Sequence, residues 1–305
     1  MKWIGNKRMK WIGNQVRKCL DFLLNVVAAG GLLLTAWVVF VVTTFATFSI
    51  PSSSMEPALQ PGDRIVVNKW VMGARIFDID AAAAGERVRI RRLPGFGRLK
   101  RNDVVVFNFP YTERWDSIGL NLRRYYVKRC VGLPGDTVEI RSSHYRVRGV
   151  EQPLGHVASQ DFLEGMFRNR WGVPSGLCVE AFPMDSLTGW TIREFGPLAV
   201  PRAGQKVRLD TGRLRLYRQL IEWETERRLT VADGRVLLGD SVVEEYTFGK
   251  DYCFVAGDRT ENSQDSRYWG LLPVEFIVGK ATRILWAHDP LTGKMRWRRL
   301  WKRID

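Results

Sequence analysis

Residues 125–136 read YYVKRCVGLPGD. An aromatic and β-branched run that closes on Leu133-Pro134-Gly135-Asp136 is a strand ending in a turn. The same composition recurs outward in both directions: RIVVNKW from Arg64, DVVVFNF from Asp103, TVEIR from Thr137, YCFVAG from Tyr252 and EFIVGKATRILWA from Glu275. Short runs rich in Val, Ile, Tyr and Phe, bounded by P-G-D, G-D or L-P, predict a mainly β protein built on an antiparallel sheet. Alternation along the first strand sets Lys128 on the face of Tyr126 and Cys130, an apolar setting that would lower its pKa. A strand-edge lysine in water is the other reading of that run taken alone. Two stretches interrupt the strands. Residues 72–100 read as a long excursion, and residues 142–250 as an inserted cap whose FGPLAVPRAGQKVRL segment has turn and strand character.

Phe22 to Ile50 is uncharged throughout, FLLNVVAAGGLLLTAWVVFVVTTFATFSI. A helix needs roughly 20 residues to cross a hydrocarbon core about 30 Å thick, and the apolar part of a cleaved leader is only roughly 7–15 residues long. The stretch therefore predicts one transmembrane helix, assigned to 22–48. Lys2, Lys7, Arg8, Lys10, Arg17 and Lys18 precede it, and no basic residue follows until Arg64. That bias keeps residues 1–21 cytoplasmic and exports 49–305.

The chain of 305 residues is 45% hydrophobic and 26% charged, which excludes disordered and collagen-like proteins. Its net charge of +15 calls for an anionic partner of some kind without choosing one. No nucleic-acid-binding motif accompanies that charge, so no nucleic acid is expected. Cys130, Cys178 and Cys253 lie beyond the span without C-x-x-C spacing, and a Cys178–Cys253 bridge is one pairing the sequence leaves open. At the C-terminus Trp297, Leu300, Trp301 and Ile304 recur at helical spacing among Arg296, Arg298, Arg299, Lys302 and Arg303. This predicts a basic amphipathic helix that either lies on anionic lipid or docks on the β body. Trp115 is a lesser candidate for the same lipid surface.

Three polar runs remain. Just past the span comes IPSSSMEPAL (50–59), whose prolines hold Ser52, Ser53 and Ser54 out of a helix; a polar linker is the competing reading. Lys128 is the second element. The third is GDRTENSQDSRYWG (257–270), where Arg259 and Arg267 oppose a cation and the spacing does not fit a calcium loop, so no metal is expected. Of the three histidines, His144, His156 and His288, none stands in a recognisable catalytic setting, which argues against a Ser-His-Asp triad.

Together PSSSMEPAL, GDRIVVNK, NDVVVF, YYVKRCVGLPGD and GDRTENSQDSRYWG resemble the bacterial type I signal peptidases, membrane-anchored Ser/Lys proteases, in the family's order. The resemblance implies an antiparallel β-sheet catalytic domain of signal-peptidase/LexA-like type. It also implies cleavage of the signal peptides of translocated precursors after A-x-A sites, without a cofactor, at the bacterial inner membrane. By resemblance Ser54 is the nucleophile and Lys128 its general base. Ser52 and the Ser54 N–H would form the oxyanion hole. Ser263 would orient the lysine by a hydrogen bond, with Asp265 and Arg267 bracing the loop. Phe48, Ile50, Met55, Leu59, Tyr126 and Val127 would line the substrate pockets. Ser53 and Arg259 depart from the Gly and Asn common among relatives.

The chemistry is consistent with these residue types. A serine hydroxyl needs a base, and at an ordinary pKa of about 10.4 only about 0.1% of a lysine is neutral near pH 7.5. Lysine serves only where burial lowers that value.

Overall fold

The computed structural model describes residues 2–111, 115–169 and 176–304. The side chains of residues 1–16, which include Lys2, Lys7, Arg8 and Lys10 of the expected basic N-terminus, lie outside the described residues. The chain divides into two compact units, residues 1–45 and 46–305. The first is helix α1 (Lys2–Thr44). Its Arg17–Thr44 part is long and apolar enough to cross a membrane, and from Arg17 to Phe40 every residue is exposed. The expected span to residue 48 is too long. The helix stops at Thr44, and Phe45–Ser49 is strand β1. Hydropathy is blind to this boundary because TTFATFS is as uncharged as what precedes it. Pairing decides it: Ala46 and Phe48 pack against a buried cluster while Thr47 faces the other way and accepts from Arg64.

The second unit is built on a seven-stranded sheet. Its remaining strands are β2 (Asp63–Asn68), β3 (Val104–Asn108), β4 (Tyr125–Gly132), β5 (Tyr252–Ala256), β6 (Leu272–Pro273) and β7 (Ile277–Ala287), in the spatial order β1-β2-β7-β3-β4-β5-β6. Every pairing with a recorded register is antiparallel. Three register shifts in β7, around Val278, Thr282 and Leu285, break the ladder and increase its twist. The sheet curls far enough to bring Phe48 of β1 against Tyr125 of β4, with ring centroids 5.0 Å apart.

Both faces of the sheet are covered, which explains the unbroken apolar run of β3. Val104 and Val106 pack with Ile50, Met55, Leu59, Ile65, Val67 and Ile284 on one side. Val105 and Phe107 join Cys130, Val131 and Phe254 on the other. That second core runs on through Leu163, Phe195, Leu214 and Tyr217, so the 142–250 stretch expected as a cap packs continuously with the sheet. Its expected first residue falls inside a hairpin, Thr137–Arg141 with His144–Val147, and Thr137–Arg141 also pairs with Phe195–Ala199.

Two further expectations give way. The C-terminal stretch is not an amphipathic helix: only Trp297–Arg299 makes a 3-10 turn, and Trp301 has φ 55°. Backbone bonding to β7 wins instead, with Trp301 N–H donating to Ile284 O, Ile284 N–H to Lys302 O and Ile304 N–H to Thr282 O. Of the stripe only Ile304 is buried. The Cys178–Cys253 bridge is absent, Cys253 being fully buried and Cys178 exposed. The Cys253 thiol instead donates to Leu272 O (3.7 Å), and its nearness together with burial pushes the Cys130 thiol up.

Candidate active site

Ser54 sits on the turn that joins β1 to β2. Ile50 N–H donates to Asp63 O (2.8 Å) and Gly62 N–H to Ile50 O (2.9 Å), which closes the base of the turn. Met55 and Leu59 are buried inside the curl and anchor it. Asp63, fully buried, accepts from Gln60 N–H (2.8 Å) and from two nitrogens of Arg299. The serine next to an anchored methionine is thus held without being covered. Among the described residues, its backbone N–H has no hydrogen-bond acceptor.

Lys128 reaches the same point from β4. Its residue is 4% exposed, and Nζ lies 2.6 Å from Ser54 Oγ and 5.6 Å from the centre of the Tyr126 ring. Burial lowers the amine from 10.5 to about 8, against the pull of the Asp265 and Asp258 carboxylates and with help from Arg267. At pH 7.5 about a quarter of such an amine is neutral, a gain of more than about 100-fold over a free lysine.

The 257–267 loop completes the arrangement. Asp265 and Arg267, 0% and 1% exposed, form a bidentate pair at 2.8 and 2.9 Å. Asp265 Oδ2 also accepts from Gly257 N–H (2.9 Å), and Arg267 Nη2 donates to Thr260 O (2.9 Å). Burial alone would raise the Asp265 carboxyl, yet Arg267 holds it below the ordinary carboxylate range.

A second buried pair, absent from the sequence reading, joins this loop to β4: Arg129 Nε and Nη2 donate to Asp258 at 2.6 and 2.7 Å. The only hint in the sequence is that each charge adjoins a motif residue, Lys128 or Gly257. Gly257 was also overlooked. A methyl there would stand 2.1 Å from Ser263 Oγ and 2.7 Å from Ser54 O. Gly257→Ala is therefore expected to displace the serine turn and cut peptide cleavage at least about tenfold, with thermal unfolding as the control for folding.

The expected hydroxyl contacts are only partly formed. Ser52 Oγ is 3.5 Å from Ser54 Oγ, at the limit of a hydrogen bond. Ser263 lines the cleft beside Lys128, but among the described residues its buried Oγ has no hydrogen-bond partner. The lysine-orienting bond is therefore not made here, because the amine is turned onto Ser54.

The cleft itself holds about 680 Å³. Of the residues named for substrate pockets, Phe48, Ile50, Met55, Tyr126 and Val127 line this cleft, whereas Leu59 is a core residue and does not reach it. Trp115, considered for a lipid surface, lines this cleft instead, as do Leu177, Cys178 and Met184 from the 142–250 stretch. Their weak patterning gave no warning of that role. His144 and His156 are engaged with Asp161 and Ser159.

The model of a family described as signal peptidase, peptidase S26, matches residues 22–188 and 198–286. The chain belongs to that family. Its members are serine endopeptidases. A signal peptidase I of Pseudomonas aeruginosa is 28% identical over 266 residues, 83% of this chain and 69% of that one. A signal peptidase I of Buchnera aphidicola is 24% identical over 270 residues, 82% of this chain and 71% of that one. The crystal structure of a signal peptidase I from Enterococcus faecalis shares 19% identity with a TM-score of 0.28, covering 60% of this chain and 95% of that one. Family membership and an apolar N-terminal helix together fit a membrane-anchored peptidase.

Proposed function

We propose that this chain is a signal peptidase I that cleaves the signal peptides of translocated precursors with a Ser54/Lys128 dyad. The observation that carries the reading is the 2.6 Å separation between Ser54 Oγ and the amine of a buried lysine. In the reacting state the Ser54 O–H donates to the neutral amine, and Oγ attacks the scissile carbonyl carbon as its proton passes to Nζ. The developing oxyanion is held by the Ser54 N–H, with Ser52 Oγ rotating onto it. The Lys128 ammonium then protonates the leaving amine. A water activated by the neutral lysine releases the acyl group from Ser54. Asp265 and Arg267 brace the loop behind the amine, and Ser263 is its remaining hydroxyl neighbour.

The substrate backbone has a place to pair. Strand β5 pairs with β4 only from Arg129 to Gly132, so among the described residues the Tyr125–Lys128 half keeps a free edge at the cleft, which edge strand β1 also lines. An extended peptide adding between these edges presents alternate side chains to Phe48, Ile50, Met55, Tyr126 and Val127, walls suited to small apolar groups.

Residues 1–21 are assigned to the cytoplasm, 22–44 to the bacterial inner membrane and 45–305 to its outer side, with 142–250 supplying one wall of the cleft. Lipid is the second proposed partner, supported by exposed Trp297 and Trp301 among Arg298, Lys302 and Arg303. Nucleic acid is no part of the proposal.

The test is incubation of the detergent-solubilised full chain, wild type and Ser54→Ala, with a precursor carrying an A-x-A site, the product being weighed by mass spectrometry. Cleavage after the second Ala by wild type alone is expected; binding without cleavage would replace the protease with a peptide-binding module. The pH dependence follows from the amine. Because the base works only when neutral, kcat/KM should rise with pH through about 8. A rate that is flat between pH 6 and 9, taken as roughly the range bracketing that value, would discard Lys128 as the base.

A further inference from the structure

The loop that carries Ser263 also grips the turn that carries Ser54, through residues given no role so far. Arg259 donates its backbone N–H to Ser54 O (3.1 Å). Its guanidinium bridges two carboxylates, Nη1 to Glu56 Oε2 (2.8 Å) and Nε to Glu261 Oε1 (2.9 Å). Asn262 Nδ2 donates to Ser53 Oγ (3.1 Å). The nucleophile turn is thus fixed at three points: Met55 in the core, Ser54 Oγ against Lys128, and this clamp, whose Glu261 and Asn262 reach the cleft wall while Arg259 and Glu56 stand outside it.

The clamp is a poor device for stability. The Arg259 and Glu56 side chains are 39% and 32% exposed, and ion pairs that water reaches contribute little to folding. It is well placed to control geometry. It holds Ser53, Ser54 and Glu56, residues on both sides of the hydroxyl that meets the Lys128 amine, and the charges acting on that amine, Asp265, Arg267 and Asp258, belong to the same loop. Misplacing a reacting group by about 1 Å costs roughly 100-fold in rate.

We infer that Arg259, bridging Glu56 and Glu261, is a positioning residue that locks the Ser54 turn to the 257–267 loop and keeps Oγ within reach of Lys128. The inference rests on the Ser54/Lys128 reading.

Its test compares Arg259→Gln, Glu56→Gln and the double variant in the full, detergent-solubilised chain on a precursor with an A-x-A site. Arg259→Gln should lower kcat about tenfold and leave KM within about twofold, because neither Arg259 nor its partner Glu56 lines the cleft that would hold the peptide. Glu56→Gln should lose nearly as much, and the double variant little more than either, since both cut one connection. Water entering beside the amine should move the acid limb of the rate to higher pH, with the thermal midpoint unchanged. Arg259→Lys, able to reach one carboxylate only, should recover part of kcat.

Activity within about twofold of wild type, losses that multiply in the double variant, or a fall in kcat that tracks the thermal midpoint would each overturn the clamp. Glu56→Gln is isosteric and carries the same test should Arg259→Gln not fold. If wild type itself does not cleave, the Ser/Lys reading fails instead. The clamp is then judged by trace acetylation of Lys128 with acetic anhydride across pH: a later titration in Arg259→Gln supports it, and coincident curves overturn it.

Discussion

Lys128→Met should abolish precursor cleavage and leave a folded protein that is at least as stable as wild type at neutral pH. General-base catalysis contributes roughly 10²- to 10⁴-fold, and a dyad whose members act as one unit loses nearly everything with either. The stability half follows from the same burial. The amine titrates at about 8 in the folded protein against 10.5 when free. Between those values the unfolded chain holds a proton that the folded chain lacks, so stability rises with pH across that window. Below about pH 8 both states are protonated, and the folded state bears the full cost of an enclosed ammonium, about 3 kcal/mol at 1.36 kcal/mol per pKa unit. Methionine fills similar volume without that cost. Urea unfolding at pH 7 should therefore show no loss in Lys128→Met, and the rise in stability between pH 8 and 10.5 should flatten. A variant that still cuts would remove the lysine from the mechanism.

Asp265→Asn should be the most damaging substitution for folding. Asp265 and Arg267 are almost wholly enclosed, and neutralising one partner strands the other's charge where water cannot reach it. Breaking such a pair costs about 3–5 kcal/mol, a large share of the about 5–15 kcal/mol by which domains are usually stable. Salt should not mimic the effect, since enclosed pairs are poorly screened. Asp265 also pulls the Lys128 amine upward, so the variant's lysine should titrate lower, not higher. Urea unfolding with and without added salt measures the first effect. A loss under about 1 kcal/mol would mean that the pair does not brace the loop.

How far the sequence carried these conclusions depends on what each feature needs. The strands were legible because they are short, β-branched and closed by turn residues, and the enclosure of Lys128 because alternation along β4 placed it beside Tyr126 and Cys130. The approach of Ser54 to Lys128 came from a motif resemblance, since nothing local links residues 74 positions apart. The end of α1 was not legible, because hydropathy measures transfer from water and not the change from helix to strand at Phe45. The C-terminal spacing matched a helix, yet bonds to β7 that no local pattern encodes took that backbone. Leu59 was expected at a pocket from the family resemblance alone, and it is a fully buried core residue beneath the turn. Arg129 with Asp258, and Arg259 with Glu56, are long-range pairs, visible only once the sheet has curled.

The titration of the Lys128 amine in the full, detergent-solubilised protein tests the central claim most directly. Trace acetylation with acetic anhydride, read peptide by peptide by mass spectrometry, reports it without requiring turnover. Half-maximal reactivity near pH 8 is the expected result, well below the other lysines in the same sample. Titration alongside them, above about pH 10, would mean a permanently protonated lysine and no base for Ser54.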